Sequence, residues 1–207
     1  MTTATLSEGI NVGDAVKRGI DIVGAGAGLL LLLPVLAAIA LVVRLDSPGP
    51  IFFKQQRPGR GMRSFTMIKF RTMVQDADRL KAEDFAALGY GPQDKAKGDP
   101  RITRVGRILR RFSLDELPQF INVLRGEMSI VGPRPLLGWE LPQNDMMARS
   151  AVLPGVTGLW QVSGRSDLSF TEMLHLDLEY VRQRSIFLDL KIVLKTLPAM
   201  LSHRGAY

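Results

Sequence analysis

From Ile22 to Val43 the chain carries no charged residue, and no other feature restricts its fold as strongly. As a straight helix this run would rise roughly 33 Å, enough to cross a bilayer. Pro34 stands near its middle, where proline removes a backbone hydrogen bond and bends a helix. The two arms on either side would be roughly 18 and 14 Å long, each too short to cross alone. Positive charge flanks both ends, with Lys17 and Arg18 before the run and Arg44, Lys54, Arg57 and Arg60 after it. Cationic flanks stay on the cytoplasmic side, so both ends are drawn to one face. The pattern accommodates two forms, a re-entrant helix broken at Pro34 and a single span. A cleaved signal peptide fits less well, because its apolar core is shorter.

A length of 207 residues suits one domain together with a membrane element. The expected organisation is a flexible tail over residues 1–16, a membrane helix over 17–48 and a catalytic domain with interfacial helices over 49–207. Asp46-Ser-Pro-Gly-Pro50 ends the helix. Ile51 to Gln55 and Ser64 to Met73 read as short strands, and the Arg57-Pro-Gly-Arg-Gly61 loop makes them a hairpin. Alternation along the second strand sets Lys69 and Arg71 on one face. Residues 76–99 are charged with mixed sign and read as a surface helix or loop. Helices are expected over Ile102–Phe112, Leu117–Leu124 (ended by Gly126), Phe170–Arg184 and Phe187–Leu201. The last has an apolar face that suits either the membrane interface or the domain core. The fold class is therefore mixed α/β and membrane-associated: an N-terminal membrane helix, re-entrant or spanning, then a small helix-rich domain with a short β-hairpin.

Composition removes several chemistries. With no Cys there is no thiolate nucleophile or Cys-zinc site, and two histidines make a His-driven triad or His metal cluster improbable. A formal charge of +7 favours anionic partners such as nucleic acid, acidic headgroups or nucleotide phosphates. The basic residues gather around acidic ones, however, and no nucleic-acid motif is present. A membrane-anchored nucleic-acid-binding protein and a non-catalytic scaffold of a polysaccharide assembly are the rival readings.

The densest chemistry lies in Arg107–Gln119, where Asp115 and Glu116 follow a basic cluster, and in Gly132-Pro-Arg-Pro135. Pro118 is tolerated only in the first turn of a helix. That places Asp115 at the N-cap, where free backbone N–H groups and the helix dipole stabilise the anion and attract phosphate. A capping box from Ser113 to Glu116 is the alternative. An ionised Asp can attack phosphorus and form an acyl phosphate. Two anions then meet, and the repulsion calls for arginines and a divalent metal. Arg110, Arg111 and Arg134 supply the cations, with Lys69 and Arg71 as further candidates. Asp115 and Glu116 are the candidate metal ligands, and an all-oxygen donor set points to Mg²⁺. Trp160, Gln161 and Arg165 lie in the turn-rich stretch Pro154–Arg165, suited to a base, ribose or diphosphate. Taken singly, an Asp-Glu pair at a helix start is usually a cap and a basic run a solvated face; the combination favours catalysis.

These residues resemble the bacterial sugar transferase family, the small monotopic polyprenyl-phosphate glycosyl-1-phosphate transferases. The likeness runs from Lys17 to the C-terminus. It is carried by Lys69-Phe-Arg-Thr-Met73, Ser113-Leu-Asp-Glu-Leu117, Gly132-Pro-Arg-Pro135 and Pro154-Gly-Val-Thr-Gly158 with Gln161 and Arg165. The resemblance implies transfer of a sugar-1-phosphate from a UDP-sugar to polyprenyl (undecaprenyl) phosphate, with release of UMP. It implies that Asp115 forms a covalent phosphosugar intermediate, that Glu116 completes the dyad, and that Arg110 and Arg134 bind phosphate. It further implies Mg²⁺ dependence and a re-entrant helix at the cytoplasmic face of the bacterial inner membrane, initiating exopolysaccharide, capsule, O-antigen or a related glycan. Expected partners are the UDP-sugar, the polyprenyl phosphate and the bilayer, not nucleic acid; a homo-oligomer is left open. In one respect the chain departs from the pattern. Many family members have Ser-Pro at the helix break, and here it is Leu33-Pro34.

Overall fold

The computed structural model describes residues 12–75, 77, 99, 101–138, 140, 142–164 and 167–201. The first helix, α1 (Val12–Asp46), is long and apolar enough to cross a membrane; it runs through Pro34 without the break expected there, because the proline removes one backbone hydrogen bond while the residues around it stay helical. It starts inside the stretch expected to be a flexible tail. Asp14 explains the early start: its carboxylate meets Arg184 at 3.0 Å and Arg60 at 3.8 Å, fixing the first turn to the domain.

Strand β1 (Phe52–Pro58) pairs antiparallel with β2 (Ser64–Phe70), with Phe53 opposite Lys69. A 3₁₀ turn at Arg60–Met62 closes this hairpin, and Gly61 takes the left-handed backbone that the turn needs. After residues outside the description come α2 (Arg104–Arg111), a 3₁₀ turn (Leu114–Glu116) and α3 (Gln119–Arg125). Thr103 caps α2 by accepting from the Gly106 amide. Gly126, at φ 81°, ends α3 in the left-handed conformation common after helices.

Strand β3 (Ser129–Val131) then pairs in parallel with β4 (Gly155–Thr157), with α4 (Gln143–Arg149) between them. The chain finishes with α5 (Leu159–Ser163), α6 (Phe170–Gln183) and α7 (Ile186–Leu201). Ser169 and Glu172 form a reciprocal capping box at the start of α6. The parallel pair, α4 and α5 have no counterpart in the sequence reading, because each is too short to show a period.

Helix α1 joins two of the small cores. Ala25 packs with Phe65, Met67, Val123 and Met128, and further along Ile39 and Val43 pack with Phe70 and Leu109. Polar ties reinforce both ends. Arg18 donates to the Val123 carbonyl at 2.6 Å and the Leu124 carbonyl at 3.0 Å, meeting the free carbonyls at the end of α3. Buried Asp21 accepts from the Ile130 amide at 2.9 Å and Ser129 Oγ at 3.1 Å. At the other end Asp46 accepts from the Val105 amide at 3.3 Å. Between these anchors the surface stays apolar and open, with Leu30 and Leu31 about three-quarters exposed.

Helix α7 packs one face on the domain core and leaves an apolar face open. Ile192 is buried with Val131, Val152 and Tyr180, while Phe187, Leu190, Leu194 and Leu197 are exposed.

Candidate active site

Three connections hold the site. The first is Asn122, fully buried on α3. Its Oδ1 accepts from the Ile68 amide at 3.1 Å, and its Nδ2 donates to the Thr66 carbonyl at 2.7 Å and to Glu127 at 2.6 Å. One side chain thereby satisfies backbone groups of β2 and locks α3 beside the strand that carries Lys69. The second is backbone contact between the Gly132–Pro135 and Pro154–Gly158 loops. Gly132 donates to the Thr157 carbonyl and Gly155 to the Pro133 carbonyl, each at 2.9 Å. A Cβ on Gly155 would collide with Gly132, and one on Gly158 with the Gly132 carbonyl. The third is Gly106 on α2, where a Cβ would meet the Thr72 carbonyl; this close approach sets Arg110 Nε 2.9 Å from Thr72 Oγ1.

Asp115 does not occupy the N-cap expected for it. It lies within the 3₁₀ turn, and α3 begins only at Gln119, with Pro118 in the capping position. Ser113 precedes the turn in the left-handed conformation, φ 53°, and makes no capping bond through its side chain, so the alternative box to Glu116 is absent too. Pro118 is accommodated by delaying the helix. The acid is therefore surrounded by side-chain cations rather than by a row of helix amides.

Those cations are Lys69, Arg110 and Arg134. Lys69 Nζ stands 2.6 Å from Glu116 Oε1, and Arg134 Nη1 stands 3.7 Å from the same oxygen. Asp115 is buried, and burial pushes its carboxyl above the ordinary value of 3.8; Glu116 pushes the same way, against Lys69, Arg110 and Arg134. Burial and the neighbouring Glu116 together outweigh the three cations, so the anion is held at a cost until an additional positive charge or a reaction at its oxygen offsets it.

Arg134 is aimed from both sides. Its guanidinium lies over the ring of buried Trp160 at 5.3 Å. Its carbonyl accepts from Arg149 Nη2 at 2.7 Å. Arg149 is itself buried and paired with Asp177, whose carboxyl is raised to about 6 by burial, against the lowering effect of Arg149. Asp177 thus acts on Arg134 from behind the loop, through Arg149.

A pocket opens beside this group, lined by Arg57, Lys69, Glu116, Gln119, Arg134 and Gln161 among others. Gln161 donates to the Val156 carbonyl at 3.3 Å, and its Oε1 is buried without a hydrogen-bond partner among the described residues. Asp115, Glu116, Lys69, Arg110, Arg134 and Gln161 are therefore gathered in one region. Arg71 is not. It stands one residue past the end of β2, and its guanidinium turns to the carbonyls of Val43, Ser47 and Pro48, closing the C-terminal end of α1. Strand alternation fails to place it because the strand has ended. Arg165 lies outside the described residues, as do residue 76 and residues 78–98.

Sequence reasoning passed over Arg57 and Gln119. Arg57 was read only as a flanking charge at a turn. Gln119 follows Pro118 with no pattern to single it out, yet it is almost wholly buried against the pocket.

This constellation, an acidic turn faced by cations from a hairpin, a helix and a glycine-braced loop, is that of an enzyme acting on phosphate esters. The family model for bacterial sugar transferase matches residues 12–203, and the chain belongs to that family. It is 42% identical over 205 residues to exopolysaccharide production protein ExoY of Rhizobium meliloti (strain 1021), covering 95% of this chain and 90% of that protein. It is 41% identical over 206 residues to the UDP-glucose:undecaprenyl-phosphate glucose-1-phosphate transferase of Caulobacter vibrioides, covering 94% and 73%. It is 42% identical over 198 residues to the UDP-galactose-lipid carrier transferase of Erwinia amylovora, covering 92% and 41%.

Proposed function

We propose that this protein transfers a sugar-1-phosphate from a UDP-sugar to undecaprenyl phosphate and releases UMP, as the initiating step of exopolysaccharide, capsule or related glycan synthesis. The observation that carries this reading is the burial of Asp115 among Lys69, Arg110 and Arg134, with Glu116 held by two of the same cations. Family membership and the names of the relatives support it. Relatives named for glucose and for galactose stand at 41% and 42% identity, so overall likeness does not select the sugar.

In this reading an Asp115 oxygen attacks the sugar-bearing phosphorus of the donor. The bond to the bridging oxygen breaks, UMP leaves, and a covalent aspartyl-phosphosugar remains. An oxygen of the lipid phosphate then attacks the same phosphorus and frees Asp115. Carboxylate and diphosphate repel one another, and Lys69, Arg110 and Arg134 offset that repulsion from fixed positions. The desolvation that raises Asp115 also leaves it poorly hydrated and hence a stronger nucleophile.

A Mg²⁺ ion characteristically takes one or two carboxylates and fills its remaining positions with water and substrate phosphate. Among the described residues no three acidic, His or Cys side chains converge on one point. Asp115 and Glu116, adjacent in one turn, suit that smaller set. They would hold the ion, which when bound would neutralise diphosphate charge.

The membrane arrangement follows from α1. Both of its ends are packed onto the same small domain, at Asp21 and Arg18 and again at Asp46 and Val43, while its middle is apolar and open. These two anchors support a re-entrant placement, in which α1 enters the cytoplasmic leaflet of the inner membrane with both ends at one surface and any bend at Pro34 is taken within a continuous helix.

Incubation with a panel of UDP-sugars in the absence of lipid is the direct test. Wild-type protein should release UMP and gain the mass of one phosphosugar on Asp115, and Asp115→Asn should do neither while keeping its thermal unfolding. Turnover with no adduct on Asp115 would overturn the covalent route; no release with any UDP-sugar would overturn the activity.

A further inference from the structure

Arg57, near the end of β1, is the cation in the pocket that the mechanism above leaves unused. Its Nη2 donates to Gln55 Oε1 at 2.6 Å, and its Nη1 lies 3.3 Å from the Pro135 carbonyl and 3.5 Å from Glu140 Oε2. Its Nε is buried and, among the described residues, has no acceptor. A buried cationic donor left without an acceptor is unfavourable. Burial lowers the pKa of Arg57 and Arg134 lowers it further, with Glu140 offsetting only part. A group in this condition, opening on a pocket shared with Lys69 and Arg134, is matched to an anion.

The hairpin register orders the pocket. Lys69 pairs across from Phe53 and reaches Glu116, beside Asp115, whereas Arg57 pairs across from Phe65, further along β1, and reaches the Pro135 carbonyl, beside Arg134. Arg134 is thus intermediate, and Arg57 lies on the side away from Lys69 and the acidic turn. In displacement at phosphorus the attacking and leaving oxygens lie roughly in line. The second phosphate of a diphosphate donor must therefore depart away from Asp115, past Arg134.

We propose that Arg57 binds the departing phosphate of the nucleotide donor, the one that leaves as a nucleoside 5′-monophosphate. This rests on the transferase reading above and adds to it the holder of the leaving group. As the Asp115 oxygen bonds to the attacked phosphorus, the bond from that phosphorus to the bridging oxygen breaks. Its electron pair stays on the bridging oxygen, which departs on the monophosphate with one more negative charge and without a proton. Arg57 Nε supplies a charge-assisted hydrogen bond to that growing charge.

UMP binding to the full-length, detergent-solubilised protein, read by calorimetry and as product inhibition, tests the assignment. Arg57→Gln should weaken UMP about tenfold or more, as loss of a charge-assisted bond implies, and Arg57→Lys should recover part. Transfer from preformed phosphosugar-enzyme to polyprenyl phosphate should be unchanged, since the nucleotide has gone. If Arg57 merely braced the Arg134 loop through Glu140, then Glu140→Gln would weaken UMP equally. The proposal instead expects Glu140→Gln to bind UMP at least as tightly as wild type, because a competing anion is gone. Unchanged UMP affinity in Arg57→Gln, or equal loss in Glu140→Gln, overturns it. Should Arg57→Gln fail to fold, Arg57→Lys and Glu140→Gln still decide. Absence of UMP release by wild type with any UDP-sugar would count against the transferase reading itself, whereas normal release with normal product inhibition in Arg57→Gln would remove this assignment alone.

Discussion

Lys69 Nζ lies 2.6 Å from Glu116 Oε1, joining strand β2 to the turn that presents Asp115. The contact spans 47 residues of sequence. It means the hairpin, not only the acidic turn, sets the electrostatics of the site.

Removing that cation should change activity through Asp115. Lys69 is the foremost of the cations that hold the Asp115 carboxyl down against burial. With Lys69→Met the carboxyl should rise further, so less of it is ionised at a given pH. Wild-type turnover should increase with pH through a value above the ordinary carboxylate range, and the variant's acid limb should move to still higher pH. At neutral pH its rate should fall by about 10²-fold, the scale of losing one charge-stabilising donor. A pH–rate profile of UMP release checks both the shift and its direction.

Asn122→Ala should be strongly destabilising without touching substrate. It would leave the Ile68 amide and Thr66 carbonyl without their partner in a buried place, at about 1–3 kcal/mol for each unsatisfied group. Thermal unfolding in detergent should show a clear fall in midpoint.

Gly155→Ala should disable the enzyme more than its size suggests. The added Cβ would press on the Gly132 backbone, which cannot yield as a flexible side-chain end can. The Arg134 loop should shift, and UDP-sugar turnover should fall together with the unfolding midpoint.

Asp177 supplies a pH test of stability. Its folded value, about 6, is above its ordinary 3.8, so the folded protein holds the proton more tightly than the unfolded chain. The stability tied to this proton is present below the unfolded value, declines as pH rises through about 6, and is gone above it. Asp177→Asn does not titrate, so wild type should lose ground relative to this variant between pH 4 and about 6.5. Melting midpoints of the two proteins across that range are the measurement.

Much of the candidate site was legible locally. Asp115 and Glu116 stood out because two acids followed a basic helix, and the hairpin because turn residues separated two alternating segments. The N-cap assignment failed because Pro118 can be met in two ways, by entering the first turn or by delaying the helix, and local sequence does not separate them. Arg71 was misplaced because alternation holds only while a strand lasts, and β2 stops at Phe70. Arg57 was missed because a turn arginine carries no sign of what it will lie against.

By itself the sequence determined the elements whose cause is local: an apolar helix of membrane length, a turn-closed hairpin, a helix ended by Gly126 and an acid pair among arginines. Their residue types and spacing act within a few positions along the chain. Only tertiary structure decided which cations meet the acid, that both ends of α1 rest on one domain, and that Arg57, at the pocket, keeps a buried nitrogen without an acceptor among the described residues. Those outcomes depend on burial and on contacts between residues far apart in the chain, where desolvation and close backbone approach outweigh any local preference.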